Sequence, residues 1–123
     1  MFDPKRVICR LVDLTDRGSR AFSVGSGDWP LKGFVVRRGV EVFAYVNRCP
    51  HAGHPLNWQP DRFLTSDGSL LQCASHGARF EIDSGRCIAG PCVGRHLISL
   101  PIEIDSDCVL LRDDPDDLAA RYA

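Results

Sequence analysis

Two short segments of this chain gather its metal-type side chains. RCPHAGHPLNW (48–58) and QCASHGARF (72–80) each set a cysteine close to a histidine among glycine, proline and small residues. The spacing is Cys49-x-His51, then residues 52–72, then Cys73-x-x-His76. Thiolate sulfur and imidazole nitrogen are transition-metal ligands. Two metal chemistries compete for such a set. Zinc takes two thiolates and two imidazoles tetrahedrally, but its short pairs usually join Cys with Cys and His with His, at least two residues apart. Here each segment instead offers one sulfur and one nitrogen. That division suits two irons bridged by two sulfides, one iron held by both thiolates and the other by both imidazoles.

Whatever holds these segments must be small. With 123 residues, the chain suits one domain with a modest core. The composition is that of an ordinary globular protein, 44% hydrophobic and 25% charged. A net charge of -1 gives no electrostatic case for nucleic acid or an anionic membrane surface. The start, MFDPKRVICRLVDL, lacks the apolar core and cleavage site of a signal peptide. No apolar run approaches the roughly 18 residues of a membrane span. A cytoplasmic protein is expected. In a reducing cytosol, cysteines beside histidines bind metal more often than they form the disulfide frameworks of small secreted chains.

The positioning elements read as β structure nearly throughout. KRVICRLVDL and RAFSVG read as the first two strands, and GFVVRRGVEVFAYVN as a hairpin joined at Arg38-Gly39. SLLQC, ARFEI, CIAG, HLISLPIEI and CVLLR continue the series, with turns at Asp83-Ser84-Gly85-Arg86 and Asp105-Ser106-Asp107. Many short strands with turn signals imply an all-β antiparallel sandwich or small barrel. Only DDPDDLAARYA differs, with Asp114 as N-cap and Pro115 at the first helical position of a short C-terminal helix. A helix that short must dock on the body or fray. The two cysteine–histidine segments are loops, each following an apolar strand, FAYVNR or SLLQ. Paired loops on rigid strands are how a β scaffold presents a metal site.

On these motifs the chain resembles a Rieske-type 2Fe–2S ferredoxin. CPHAGH (49–54), CASHGARF (73–80) and GPCVGRHLISLPIEID (90–105) carry the resemblance, which spans roughly residues 5 to 112. It implies one domain over 1–123, with cluster-binding loops 48–58 and 73–80, a proline loop 88–95 and a C-terminal tail 113–123. It further implies one 2Fe–2S cluster, with Cys49 and Cys73 on the inner iron and His51 and His76 on the outer, more exposed iron. Gly90-Pro91 stands where the family's proline loop covers the cluster. Residues 52–72 are a few more than is common, and PDRFLTSDGS is expected to be a surface excursion.

Some expectations come from what is missing. High-potential Rieske proteins carry a further cysteine in each ligand loop and join the two; here His54 and Ser75 occupy those positions. Their serine and tyrosine donors to sulfur are replaced by Ala78 and Phe80, which cannot donate, and fewer donors mean a lower potential. The resemblance thus points to the soluble, low-potential, oxygenase-associated class. His54 is expected to face solvent, and His96 to lie at the surface. Cys9, Cys87, Cys92 and Cys108 read as small core residues, although Cys87 and Cys92 are close enough to invite a disulfide. Trp29 and Trp58 read as packing residues.

No substrate chemistry is expected of the chain alone. An oxygenase needs a second iron on two histidines and a carboxylate; beyond the expected ligands only His54 and His96 remain, and the tail 113–123 cannot house a catalytic domain. The expected role is one-electron transfer from a flavin-containing reductase to a terminal oxygenase. The alternatives are a cluster-bearing subunit of a reductase or oxidase complex, which gel filtration would separate, and a zinc-stabilised binding module, which would be colourless.

Overall fold

The computed structural model describes residues 4–50, 53–57, 59–75 and 77–122. In chain order the strands are β1 (Val7–Arg10), β2 (Ser19–Val24), β3 (Leu31–Arg38), β4 (Glu41–Val46), β5 (Leu71–Gln72), β6 (Arg79–Phe80), β7 (Cys87–Ala89), β8 (Ile102–Asp105) and β9 (Cys108–Leu111). One helix, α1 (Pro115–Tyr122), follows. The strands form three antiparallel three-stranded sheets, ordered β1-β9-β8, β2-β3-β4 and β5-β6-β7. This is the expected all-β architecture with a short terminal helix.

The middle sheet divides two hydrophobic cores. Successive side chains of a strand point to opposite faces, and β3 buries both. Phe34 and Val36 join one core with Tyr45 of β4, while Leu31 and Val35 join the other with Ala44 and Val46. On the second side lie Val109 and Leu111 of β9 and Leu118 of α1. On the first side lie the short strands β5 to β7 and the two cysteine–histidine loops. The near-continuous apolar run FVV is what a strand covered on both faces requires.

Local chemistry sets the ends of the elements. Ser106 and Asp107, at φ 51° and 63°, make the two-residue turn between β8 and β9, where both central positions must be left-handed. At the other hairpin Arg38 pairs with Glu41, so the turn is Gly39-Val40, one residue beyond the expected junction. Asp114 caps α1, its Oδ1 accepting from the Asp116 amide at 2.8 Å. The helix docks: Leu118 is buried, and the carbonyl of Tyr122 accepts from the Arg48 guanidinium.

Several expectations need correction. KRVICRLVDL is not one strand, because 3₁₀ turns at Pro4–Arg6 and Leu11–Asp13 flank β1. The second turn is held by Arg37, whose Nη1 donates to the Leu14 carbonyl at 2.8 Å. HLISLPIEI reduces to β8, with only isolated pairings of His96 with Arg86 and Ser99 with Tyr45 before it; Pro101 has no amide to continue a ladder. Trp29 is 82% exposed and is not a core packing residue, whereas Trp58 lies outside the described residues. The stretch 60–69 is not purely a surface excursion. Phe63 is buried and stacks on Phe34 at 4.2 Å between ring centroids. Asp61 accepts the Ala21 amide at 2.7 Å, which fastens this segment to β2.

Candidate functional site

The two ligand loops close in the same way. In the first, the Cys49 amide donates to the His54 carbonyl at 2.8 Å and the Gly53 amide to the Cys49 carbonyl at 2.7 Å. In the second, Cys73 donates to Ala78 at 2.8 Å and Gly77 to Cys73 at 3.0 Å. The offsets from the cysteine are identical, and both turns need glycine, with Gly53 at φ 74° and Gly77 at φ 69°. The equivalence is one of backbone only, since the histidine follows its cysteine by two positions in one loop and three in the other. His51 and His76 themselves lie outside the described residues.

A short network locks the loops to each other and to the sheets. The Ala74 amide donates to the Leu56 carbonyl at 2.8 Å, joining loop to loop. Asn47, at the end of β4, accepts the Leu56 amide on Oδ1 at 2.9 Å and donates to Asn57 Oδ1 at 2.9 Å. Arg95, in the proline loop, donates to the Pro50 carbonyl at 3.0 Å. Arg48, one residue before Cys49, carries the bond to α1. Sequence reasoning missed Asn47, Arg48 and Arg95. The only available signal was an asparagine on each side of CPHAGHPL, since the partners of both arginines lie far away in the chain.

The thiols are shielded. Cys49 and Cys73 are each 1% exposed and belong to one core with Leu56, Ala78 and Phe80. Cys87 and Cys92 lie in the same core, and Cys92 is close enough to Cys49 for the two thiols to interact. Burial, then the neighbouring Cys87 and Cys49 thiols, push Cys92 up to about 12. The proline loop lies against the second ligand loop, for a Cβ on Gly90 would sit 2.8 Å from Ala78 Cα. The hydroxyl of buried Tyr45 is committed to the Ile82 carbonyl at 2.6 Å, and its pKa is raised chiefly by burial.

The remaining candidates fall where expected or close to it. His54 is half-buried, with Nδ1 3.1 Å from the Pro55 carbonyl, and His96 is exposed. Cys9 is buried as a core residue, while Cys108 is only half-buried. Ala78 and Phe80 are fully buried, the alanine lying between Cys73 and Gly90. Among the described residues, no group of three or more His, Cys, Asp or Glu side chains is arranged to hold a metal ion.

The donor chemistry fits an iron–sulfur group. Two buried thiols stand at the roots of two cross-braced loops with the same backbone closure; the first loop sequence carries His51 and His54 beyond its cysteine, and the second carries His76. Dry surroundings suit thiolate ligands and protect sulfide from hydrolysis.

Comparison with known proteins decides between the two metals. The family model described as the Rieske [2Fe-2S] domain matches residues 5–119. Among solved structures, the ferredoxin of carbazole 1,9a-dioxygenase from Nocardioides aromaticivorans IC177 is 25% identical, with a TM-score of 0.69; the match covers 88% of this chain and 96% of that one. The Sphingomonas yanoikuyae B1 ferredoxin is 24% identical, with a TM-score of 0.66, covering 89% and 99% respectively. The terminal oxygenase of carbazole 1,9a-dioxygenase from Novosphingobium sp. KA1 shares the fold at 18% identity and a TM-score of 0.69, over 91% of this chain but 31% of that one. No curated protein sequence matches the chain. No helix among the described residues is long and apolar enough to cross a membrane. The chain belongs to the Rieske [2Fe-2S] domain family and carries one Rieske 2Fe–2S cluster.

Proposed function

We propose that this chain is a cytoplasmic one-electron carrier that takes electrons from a flavin-containing reductase and passes them to a terminal oxygenase. Cys49 and Cys73 would hold the inner iron, and His51 and His76 the outer. The observation that carries the reading is the pair of identically closed loops, each rooted on a buried cysteine. Its likeness to the Nocardioides ferredoxin over nearly all of both chains supports it further.

The cluster, when bound, supplies a one-electron couple. The chain's own residues shield it and present it. Leu56, Ala78 and Phe80 keep water from the thiols, while Gly53, Pro55 and Ser75 place the outer parts of both loops at the surface. Ile88, Pro91 and Val93 add an exposed apolar rim from the proline loop. A partner would dock over these tips. Transient redox contacts are small, under about 1,200 Å² of total buried area. With a net charge of -1, steering is weak and the salt dependence modest.

The test has two arms. Cys49→Ser and Cys73→Ser should each abolish the visible absorbance, because a harder alkoxide replaces thiolate poorly. Retention of a full cluster in Cys73→Ser, with loss in Cys87→Ser, would overturn the ligand set. In stopped-flow mixing, the reduced protein should be reoxidised by an oxidised Rieske terminal oxygenase, one electron per cluster. Electron uptake from a flavin reductase followed by no transfer to any oxygenase would overturn the partner assignment.

A further inference from the structure

The electron-carrier reading leaves two thiols of the proline loop unused. Cys87 and Cys92 are five residues apart, both buried, with their Sγ atoms 3.0 Å from each other. A disulfide needs about 2.05 Å between sulfurs, so closure asks for an approach of only about 1 Å. The backbone around them is already closed. Cys87 donates to the Arg95 carbonyl at 2.8 Å, Arg95 to Cys92 at 2.9 Å and Gly94 to Cys87 at 3.2 Å. Much of the loop-closure entropy that usually opposes a cross-link is therefore already lost in the dithiol form. A buried cysteine used only to fill a core does not need a second sulfur within bonding approach.

We propose that Cys87 and Cys92 are a second redox centre, a dithiol that closes reversibly to a disulfide within the proline loop, beside Cys49. A peroxide is the oxidant by chemical class. The Cys92 sulfur attacks one peroxide oxygen; an S–O bond forms as the O–O bond breaks, and the released hydroxide leaves as water with the thiol's proton. The Cys87 sulfur then attacks the sulfenic sulfur. The S–S bond forms, the S–O bond breaks, and a second water leaves with the remaining thiol proton. Two electrons pass from the sulfur pair to one peroxide, giving one disulfide and two waters. A dithiol reductant reverses the step by exchange.

Cys92 is the more accessible of the two sulfurs. It retains a trace of exposure where Cys87 has none, and its neighbours Pro91 and Val93 are at the surface. Oxidation removes the Cys92 S–H, which donates to Cys87, and the Cys87 S–H, which donates to the Ala89 carbonyl at 3.2 Å, and ties the loop across its base.

The holoprotein tests this directly. It is equilibrated anaerobically across ratios of oxidised to reduced dithiothreitol, and separately treated with hydrogen peroxide, then denatured, alkylated and digested with trypsin. Cleavage after Arg86 and Arg95 isolates CIAGPCVGR, which contains both sulfurs. The expected result is a reversible loss of two hydrogens on this peptide, with a visible spectrum that persists. Cys92→Ala should abolish the change and leave the cluster in place; if that variant fails to fold, Cys87→Ala serves the same purpose. Full alkylation of both sulfurs at every ratio and after peroxide would overturn the proposal. So would oxidation confined to Cys9 or Cys108. The mass readout is independent of any oxygenase, so failure here and failure of the electron-carrier reading are told apart.

Discussion

Replacing Gly90 and Gly94 by alanine, one at a time, separates packing from backbone strain in the loop that lies against the 73–80 loop. The two glycines have nearly the same backbone, at φ 95° and φ 91°. An L-residue held there loses roughly 1–2 kcal/mol in either place. Their surroundings differ. A Cβ at Gly94 meets nothing within 4 Å, whereas a Cβ at Gly90 would lie 2.8 Å from Ala78 Cα, 3.2 Å from its amide nitrogen and 3.3 Å from its Cβ. These are mostly backbone atoms of a ligand loop that is itself hydrogen-bonded shut, so they yield only if one loop moves. Overpacking of this kind costs about 1–3 kcal/mol. Gly94→Ala should therefore destabilise by roughly 1–2 kcal/mol and Gly90→Ala by roughly 2–5 kcal/mol. Urea unfolding of the holoprotein gives both values, provided the slopes agree so that midpoints can be compared. Gly90→Ala should also bleach faster in air, because the proline loop is lifted from the second ligand loop. Equal destabilisation by the two variants would refute the contact, and a larger effect at Gly94 would reverse the reasoning.

Other expectations follow from single features. Phe63→Ala should cost about 3–5 kcal/mol, as for other buried aromatics, measured by urea unfolding; a loss under about 1 kcal/mol would return residues 60–69 to the surface. Asp67 is held down to about 2 from 3.8, first by the Thr65 hydroxyl at 2.6 Å and then by Ser69. A depressed carboxyl stabilises the fold above its unfolded pKa, and that contribution disappears as pH falls from about 4 to 2. Asp67→Asn should flatten stability against pH in that window, and an unchanged profile would refute the assignment. The cluster potential should lie at about −150 to 0 mV, the lowest third of the Rieske window. Ala78→Ser and Phe80→Tyr should each raise it by adding a donor, while a wild-type value above about +150 mV would contradict the low-potential class.

The motifs that mark the candidate site were easier to read in the sequence than the packing around it. Cys-x-His and Cys-x-x-His are local patterns whose chemistry does not depend on distant contacts, and the Asp114-Pro115 cap is likewise decided within one turn. The hairpin β3–β4 showed itself through β-branched residues. The apolar run in β3 could not reveal that it separates two cores, because a strand buried on both faces has no alternation to read. Trp29 and Phe63 were misjudged for a related reason. Hydrophobic type suggests burial, but Phe63 is drawn inward from a polar stretch by Asp61 and Ser19, residues anchored on β2. Nothing local distinguishes it from Trp29. Arg48 and Arg95 escaped notice because their roles lie in side chains that reach carbonyls 74 and 45 positions away.

The bonds that close the ligand loops also decide how an added electron is solvated. With a cluster bound, reduction would add one negative charge beside these loops, and N–H groups pointing at it would compensate. Many of the nearby amides already have carbonyl partners. Those of Cys49, Gly53, Cys73, Ala74 and Gly77 donate to backbone oxygens, and Pro50 has no N–H at all. Loop order and electron affinity therefore draw on one finite set of donors. An amide that holds a loop shut is withheld from the charge, and a loop loosened at Ala74 would gain affinity for the electron as it lost definition.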